Sequence, residues 1–119
     1  MVLTHKDLIV WNKAMELVTE IYKLTQRFPR EEIFGLISQL RRAAVSIPSN
    51  IAEGKGRLSK KEFHYYLGNA RGSLAELETQ IVIAQNLEYI KDDEADNLLK
   101  QVAEVGRLLN GLLISVRNQ

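Results

Sequence analysis

The sequence contains no cysteine. That removes disulfides, thiolate metal ligands and a cysteine nucleophile together, and it fits a reducing compartment. Proline occurs only at positions 29 and 48, and seven of the 119 residues are glycine, so long helices meet few breaks. Of the two histidines, neither His5 nor His64 has a Glu three residues before it, which excludes the Glu-x-x-His pairs of a ferritin-like di-iron site. No apolar run approaches the ~20 residues of a membrane-spanning helix. The opening MVLTHKDLIVW lacks the basic and then long apolar regions of a signal peptide. The expectation is a cytoplasmic protein with no membrane association. Gly54-Lys55-Gly56 has neither the spacing nor the Lys-Ser/Thr ending of a P-loop. Ser46, Ser49 and Asn50 have no histidine placed to activate them, and read better as groups that satisfy backbone freed by Pro48. No enzyme activity, metal or cofactor is expected.

What is present is apolar residue at helical period. Hydrophobic side chains make up 45% of the chain, enough for one domain, residues 1–119, with a genuine core. The first segment, from about Leu8 to Thr25, carries the row Leu8, Trp11, Met15, Val18, Tyr22, Thr25 and a parallel row Ala14, Leu17, Ile21, Leu24, Phe28. Such a wide stripe needs more than one packing neighbour. Asp7 is the candidate N-cap, and Pro29 the stop.

The second segment opens near Arg30 or Glu31. Its seam, Ile33, Ile37, Leu40, Ala44, Ile47, Ile51, stays in register across Pro48, predicting one kinked helix; Asn50 and Glu53 also resemble a capping box that would restart it. Gly54 and Gly56 end it. The third begins with the capping box Ser59-Lys60-Lys61-Glu62. Its seam is Phe63, Leu67, Ala70, Leu74, Leu77, Ile81, Ala84, and Gly68 and Gly72 are read as points where a neighbour approaches closely. The fourth follows Asp92 or Asp93 as N-cap, with the seam Leu98, Val102, Val105, Leu109, Leu112, Val116.

Four such helices with short links predict an all-α, antiparallel up-down-up-down four-helix bundle. The second apolar rows leave surface that one small bundle does not bury, predicting self-association.

The net charge of +1 conceals an uneven distribution. Arg41, Arg42, Lys55, Arg57, Lys60, Lys61 and Arg71 face only Glu53 and Glu62 within their stretch, a local +5 that leaves −4 elsewhere. Guanidinium forks suit phosphate, and the start of the third helix adds a positive dipole end. These seven residues are the candidate nucleic-acid contacts, with His64, Tyr65 and Tyr66 as candidate stacking groups. The competing reading is a solvated face, with Arg41 or Arg42 paired to Glu53 or to a neighbouring subunit, Tyr66 partly in the core and Tyr65 at an interface.

QLRRAAVSIPSNIAEGKGR, preceded by DLIVWNKAMELV and FPREEIFGL and followed by EFHYYLGNARGSLAELETQI, closely resembles the four-helix-bundle proteins encoded in intervening sequences of bacterial 23S rRNA genes. AEVGRLLNGLLISVRN is similar to the accessory variability determinant of diversity-generating retroelements. The resemblance implies a homopentamer with a central channel. The retroelement relatives carry basic surfaces that bind nucleic acid and a reverse transcriptase, and with the local +5 the resemblance points to nucleic-acid binding here, structured RNA above all. The alternative to RNA binding is thus an oligomeric protein-binding scaffold or an accessory factor for a reverse transcriptase.

Overall fold

The apolar periodicities become four α-helices in the computed structural model, which describes residues 2–118. They are α1 (Ile9–Thr25), α2 (Leu36–Lys55), α3 (Lys60–Asn86) and α4 (Asp92–Arg117), with 3-10 turns at His5–Asp7 and Arg30–Glu32. No strand occurs among the described residues. The helices enclose one core in a molecule of 45 × 25 × 20 Å. Leu17, Ile21, Leu40, Ile47, Ile51, Leu67, Leu77, Ile81 and Leu109 are fully buried, each contributing roughly 1.5–3 kcal/mol of apolar transfer. No helix is long and apolar enough to cross a membrane among the described residues.

Polar contacts fix how the helices meet. Arg41 on α2 donates from Nε to the Thr25 hydroxyl at 2.9 Å. Ser46 of α2 meets Ser73 of α3 at 2.8 Å. Arg71 of α3 faces Asn110 of α4 at 3.4 Å. Lys13 of α1 pairs with Glu104 of α4 at 3.6 Å.

Several local expectations change. In α1 the buried row is Val10, Ala14, Leu17, Ile21 and Thr25, while Met15 and Tyr22 lie on an exposed flank. Asp7 does not cap α1. Its carboxylate accepts from the backbone of Leu3 and Thr4 and closes the His5–Asp7 turn instead. α2 begins only at Leu36, because Arg30–Glu32 forms a separate turn and Gly35 adopts a non-helical backbone. Ile33 therefore falls outside α2 and is exposed.

Across Pro48 the helix is continuous, as the unbroken seam predicts. Asn50 donates to the Ser46 carbonyl at 2.8 Å and to its hydroxyl at 2.9 Å, whereas the carbonyl that Pro48 frees is that of Ala44, and Ser49 is exposed. Gly56 is the C-cap of α2, whereas Gly54 is buried inside it. Ser59 caps α3 by accepting from the Glu62 N–H at 3.1 Å. Lys91, not Asp92 or Asp93, is the N-cap of α4, and its N–H donates to Glu94 at 2.9 Å. A Cβ on Gly68 or Gly72 would meet nothing within 4 Å, so no neighbour requires glycine there.

Candidate nucleic-acid interface

The α2–α3 corner is built on a close approach. Gly54 lies against Phe63 and Tyr66, which lets the end of α2 and the start of α3 come together over the short link at 56–59. Lys55 ends α2 with its ammonium 5.8 Å from the Phe63 ring centroid. Lys60 and Lys61 occupy the first turn of α3 and are exposed. A helix N-terminus disfavours cations, so helix stability does not account for this pair of lysines.

Arg57 is engaged within the chain. Its Nη2 lies 3.0 Å from Glu53 and donates to the Tyr66 hydroxyl at 2.7 Å, and Nη1 lies 3.7 Å from Glu62. The guanidinium also sits 5.0 Å from the Tyr66 ring centroid. Glu53 is thus the partner of Arg57, not of Arg41 or Arg42. Arg57 braces the corner and positions Tyr66, against which Tyr65 packs edge-on at 5.2 Å.

Two further cations, Arg71 and Arg117, lie in a cleft of about 730 Å³ between α3 and α4. His64, Arg71 and Arg117 line it together with Tyr65, Asn69 and Asn110. No aspartate or glutamate lines it. Among the described residues Arg71 has the neutral Asn110 amide as its partner, at 3.4 Å.

Arg41 and Arg42 stand apart. Arg42 is thirteen residues before Lys55 along α2, about 20 Å at 1.5 Å per residue. Both arginines line a cleft of about 790 Å³ between α1 and α2, with Arg30 and the apolar Tyr22, Ile33, Ile37 and Val45. Arg41 is anchored by Thr25, by the Tyr22 carbonyl at 3.4 Å and by stacking 4.5 Å over the Tyr22 ring. The linear cluster of seven cations therefore divides in space into a corner, an α3–α4 cleft and an α1–α2 cleft.

Charge separates along the long axis. The corner, with Lys55, Lys60 and Lys61, shares its end of the molecule with Arg117. The carboxylates there include Glu53 and Glu62, both on Arg57, and Asp7, which the backbone N–H groups of Thr4 and Leu3 hold low with help from Lys55. Glu31, Glu32, Asp92, Asp93 and Glu94 crowd the turns at the other end. There the backbone N–H of Leu36 and the Tyr89 phenol hold Glu32 below the ordinary carboxylate range. The Lys91 backbone N–H and the Arg27 guanidinium do the same for Glu94.

Sequence reading passed over Asn69, Asn110 and Arg117 as site residues. The available signal was Gly68: a poor helix former in mid-helix, one residue before Asn69, with no packing reason to be glycine. Among the described residues no three His, Asp or Glu side chains gather as a metal site.

Comparison with known proteins supports this architecture. A solved structure of a protein of unknown function from the S23 ribosomal protein family of Bacteroides thetaiotaomicron VPI-5482 is similar to this chain. It is 23% identical, with a TM-score of 0.81, over 88% of this chain and 95% of that one; at that identity the likeness concerns the fold. No curated protein matches. The family model described as 23S rRNA-intervening sequence protein matches residues 6–111. With nearly the whole chain so matched, the protein belongs to the 23S rRNA-intervening sequence protein family.

Proposed function

We propose that this chain is a non-enzymatic, oligomeric, cytoplasmic protein that binds structured RNA through its basic end. The observation that carries the reading is the gathering of Lys55, Lys60 and Lys61 at the α2–α3 corner beside a cleft that holds Arg71 and Arg117 and is lined by no aspartate or glutamate among the described residues. Cations gathered at an end remote from the acidic turns form an electrostatic footprint for phosphate. The family's association with a ribosomal RNA intervening sequence points the same way.

The architecture we assign is an antiparallel up-down-up-down four-helix bundle. Its support is pairing of early residues of one helix with late residues of the next, as in His64 of α3 and Arg117 of α4, which line one cleft. We further propose assembly into a homopentameric ring. Fully exposed Phe34 and Leu58 support self-association, and a ring would repeat the basic end and multiply weak contacts.

The test is fluorescence anisotropy of a labelled structured RNA, titrated at several salt concentrations. Each phosphate contact contributes about −0.7 to −0.9 to the slope of log affinity against log salt. A slope steeper than about −2 is expected, on the order of three contacts; absence of binding at low salt contradicts the reading.

The α1–α2 cleft favours a second function, docking of a protein such as a reverse transcriptase. Its three arginines and apolar floor suit an acidic amphipathic segment. Arg41→Glu/Arg42→Glu would then abolish protein docking while sparing RNA affinity; retention of docking by that variant counts against it.

A further inference from the structure

We infer that the cleft between α3 and α4 is a site for one unpaired nucleotide, with its base on Tyr65 and its phosphate on Arg71 and Arg117. The inference rests on the RNA-binding reading and names the ligand of one part of that interface.

The cleft encloses about 730 Å³, within the size range of small-ligand sites. No aspartate or glutamate lines it among the described residues. Arg71 and Arg117 form no ion pair among the described residues, and Arg71 is held only by a long bond to the Asn110 amide. A bidentate phosphate contact is stronger than that neutral bond and would displace it.

Tyr65 supplies the second requirement. It is 63% exposed, and its ring partner among the described residues is Tyr66, at an interplanar angle of 84°. Perpendicular packing fixes the ring without a parallel stack, leaving a face for a base. Tyr66 is itself gripped by Arg57 through its hydroxyl and ring, so the platform is braced before any ligand arrives. An aromatic surface beside cations is the usual arrangement for unpaired bases.

Gly68 supplies space. It lines the cleft, and a Cβ there would meet nothing within 4 Å. Glycine in mid-helix costs stability relative to alanine, and no packing contact within the chain offsets that cost. Asn69 and Asn110 each bring an amide donor and acceptor to the rim, the groups that read base edges and ribose hydroxyls. Apolar Ile114 completes the lining. Phosphate, base and sugar thus each find a matching group.

The probe is adenosine 5′-monophosphate, titrated at millimolar concentration into the full chain and followed by NMR, with inorganic phosphate as the control. Shifts are expected at Tyr65, Gly68 and Asn110, with phosphate alone binding much more weakly. Tyr65→Ala is expected to weaken mononucleotide binding about tenfold or more, and Arg71→Ala/Arg117→Ala to do likewise. Gly68→Leu should fill the cleft and abolish binding while the circular dichroism spectrum and melting temperature hold. Equal responses to phosphate and nucleotide, or nucleotide binding insensitive to Tyr65→Ala and Gly68→Leu, overturn the inference. The RNA reading is separable: structured RNA that binds through the corner lysines without any mononucleotide response overturns the site alone. Mononucleotide binding by a chain that ignores structured RNA supports the site and removes the larger reading.

Discussion

Gly54 and Tyr66 meet so closely that a methyl group has no room between them. A Cβ on Gly54 would lie 2.8 Å from the Tyr66 Cβ and 3.3 Å from the Phe63 carbonyl oxygen. Neither atom is the free end of a side chain, so relief requires α2 and α3 to separate. Gly54→Ala is expected to destabilise by about 1–3 kcal/mol through overpacking. Gly72→Ala, where nothing lies within 4 Å, should instead stabilise by about 0.5–1 kcal/mol through helix propensity. Urea unfolding of both variants checks the contrast; equal effects would contradict the assigned packing.

Glu32 and Tyr89 couple stability to pH at both extremes. The Glu32 carboxylate accepts from the Leu36 N–H at 3.0 Å and from the Tyr89 hydroxyl at 2.8 Å. The Leu36 N–H foremost, then the phenol, holds Glu32 below the ordinary carboxylate range. Its contribution is therefore present above the unfolded value, about 4.3, and is lost as pH falls through the lower folded value. The same bond raises Tyr89 above the ordinary phenol range. That contribution is complete below about pH 10 and is lost as pH rises through the raised value. Denaturant midpoints should fall on both sides, and Glu32→Gln should flatten both limbs.

Glu88 occupies the left-handed region, with φ of 62°, at the end of α3. Glu88 N donates to the Gln85 carbonyl at 3.0 Å and Tyr89 N to the Ala84 carbonyl at 3.0 Å, the bond pair of a Schellman cap. Glycine is the favoured residue at such a position. Glu88→Gly is expected to raise stability by about 0.5–1 kcal/mol, read as a higher melting temperature with an unchanged circular dichroism spectrum.

Phe34 and Leu58 stand at opposite ends of α2, exposed by 97% and 102%. Neither supports the fold of a single chain, so Phe34→Ser and Leu58→Ser should leave the melting temperature of an isolated subunit unchanged within about 0.5 kcal/mol of stability. If they form subunit contacts, the double variant lowers the mass measured by light scattering. An undiminished mass removes these two residues from the proposed ring.

The seams of α2 and α3 were legible because each has one apolar row at helical period, and most of those residues are buried. α4 carries a second row beside its seam, and the buried residue near its end is Leu113 of that row, with Leu112 only partly buried. α1 was harder. Two rows of similar apolarity lie side by side, and only the arrangement of neighbours buries Leu17 and Ile21 while leaving Met15 and Tyr22 on the flank. The α2 start was misplaced because the turn at Arg30–Glu32 shares the acidic signature of a helix N-terminus. For the site, a run of cations in sequence revealed charge but not direction. Helical geometry sends Arg41 toward α1, Arg71 toward α4 and Arg57 into the corner. The α3–α4 cleft joins residues 64–71 to 110–117, a pairing no local pattern carries.

The central claim is that structured RNA meets the basic end. The direct measurement is anisotropy of one labelled RNA at fixed low salt with Lys60→Glu/Lys61→Glu and, in parallel, Arg41→Glu/Arg42→Glu. Both pairs reverse the same amount of charge, so net charge is matched and only position differs. A loss of about tenfold or more for the corner variant, with little change for the α1–α2 variant, is the predicted result. Equal losses would show that net charge alone governs binding, and no loss from the corner variant would contradict the claim.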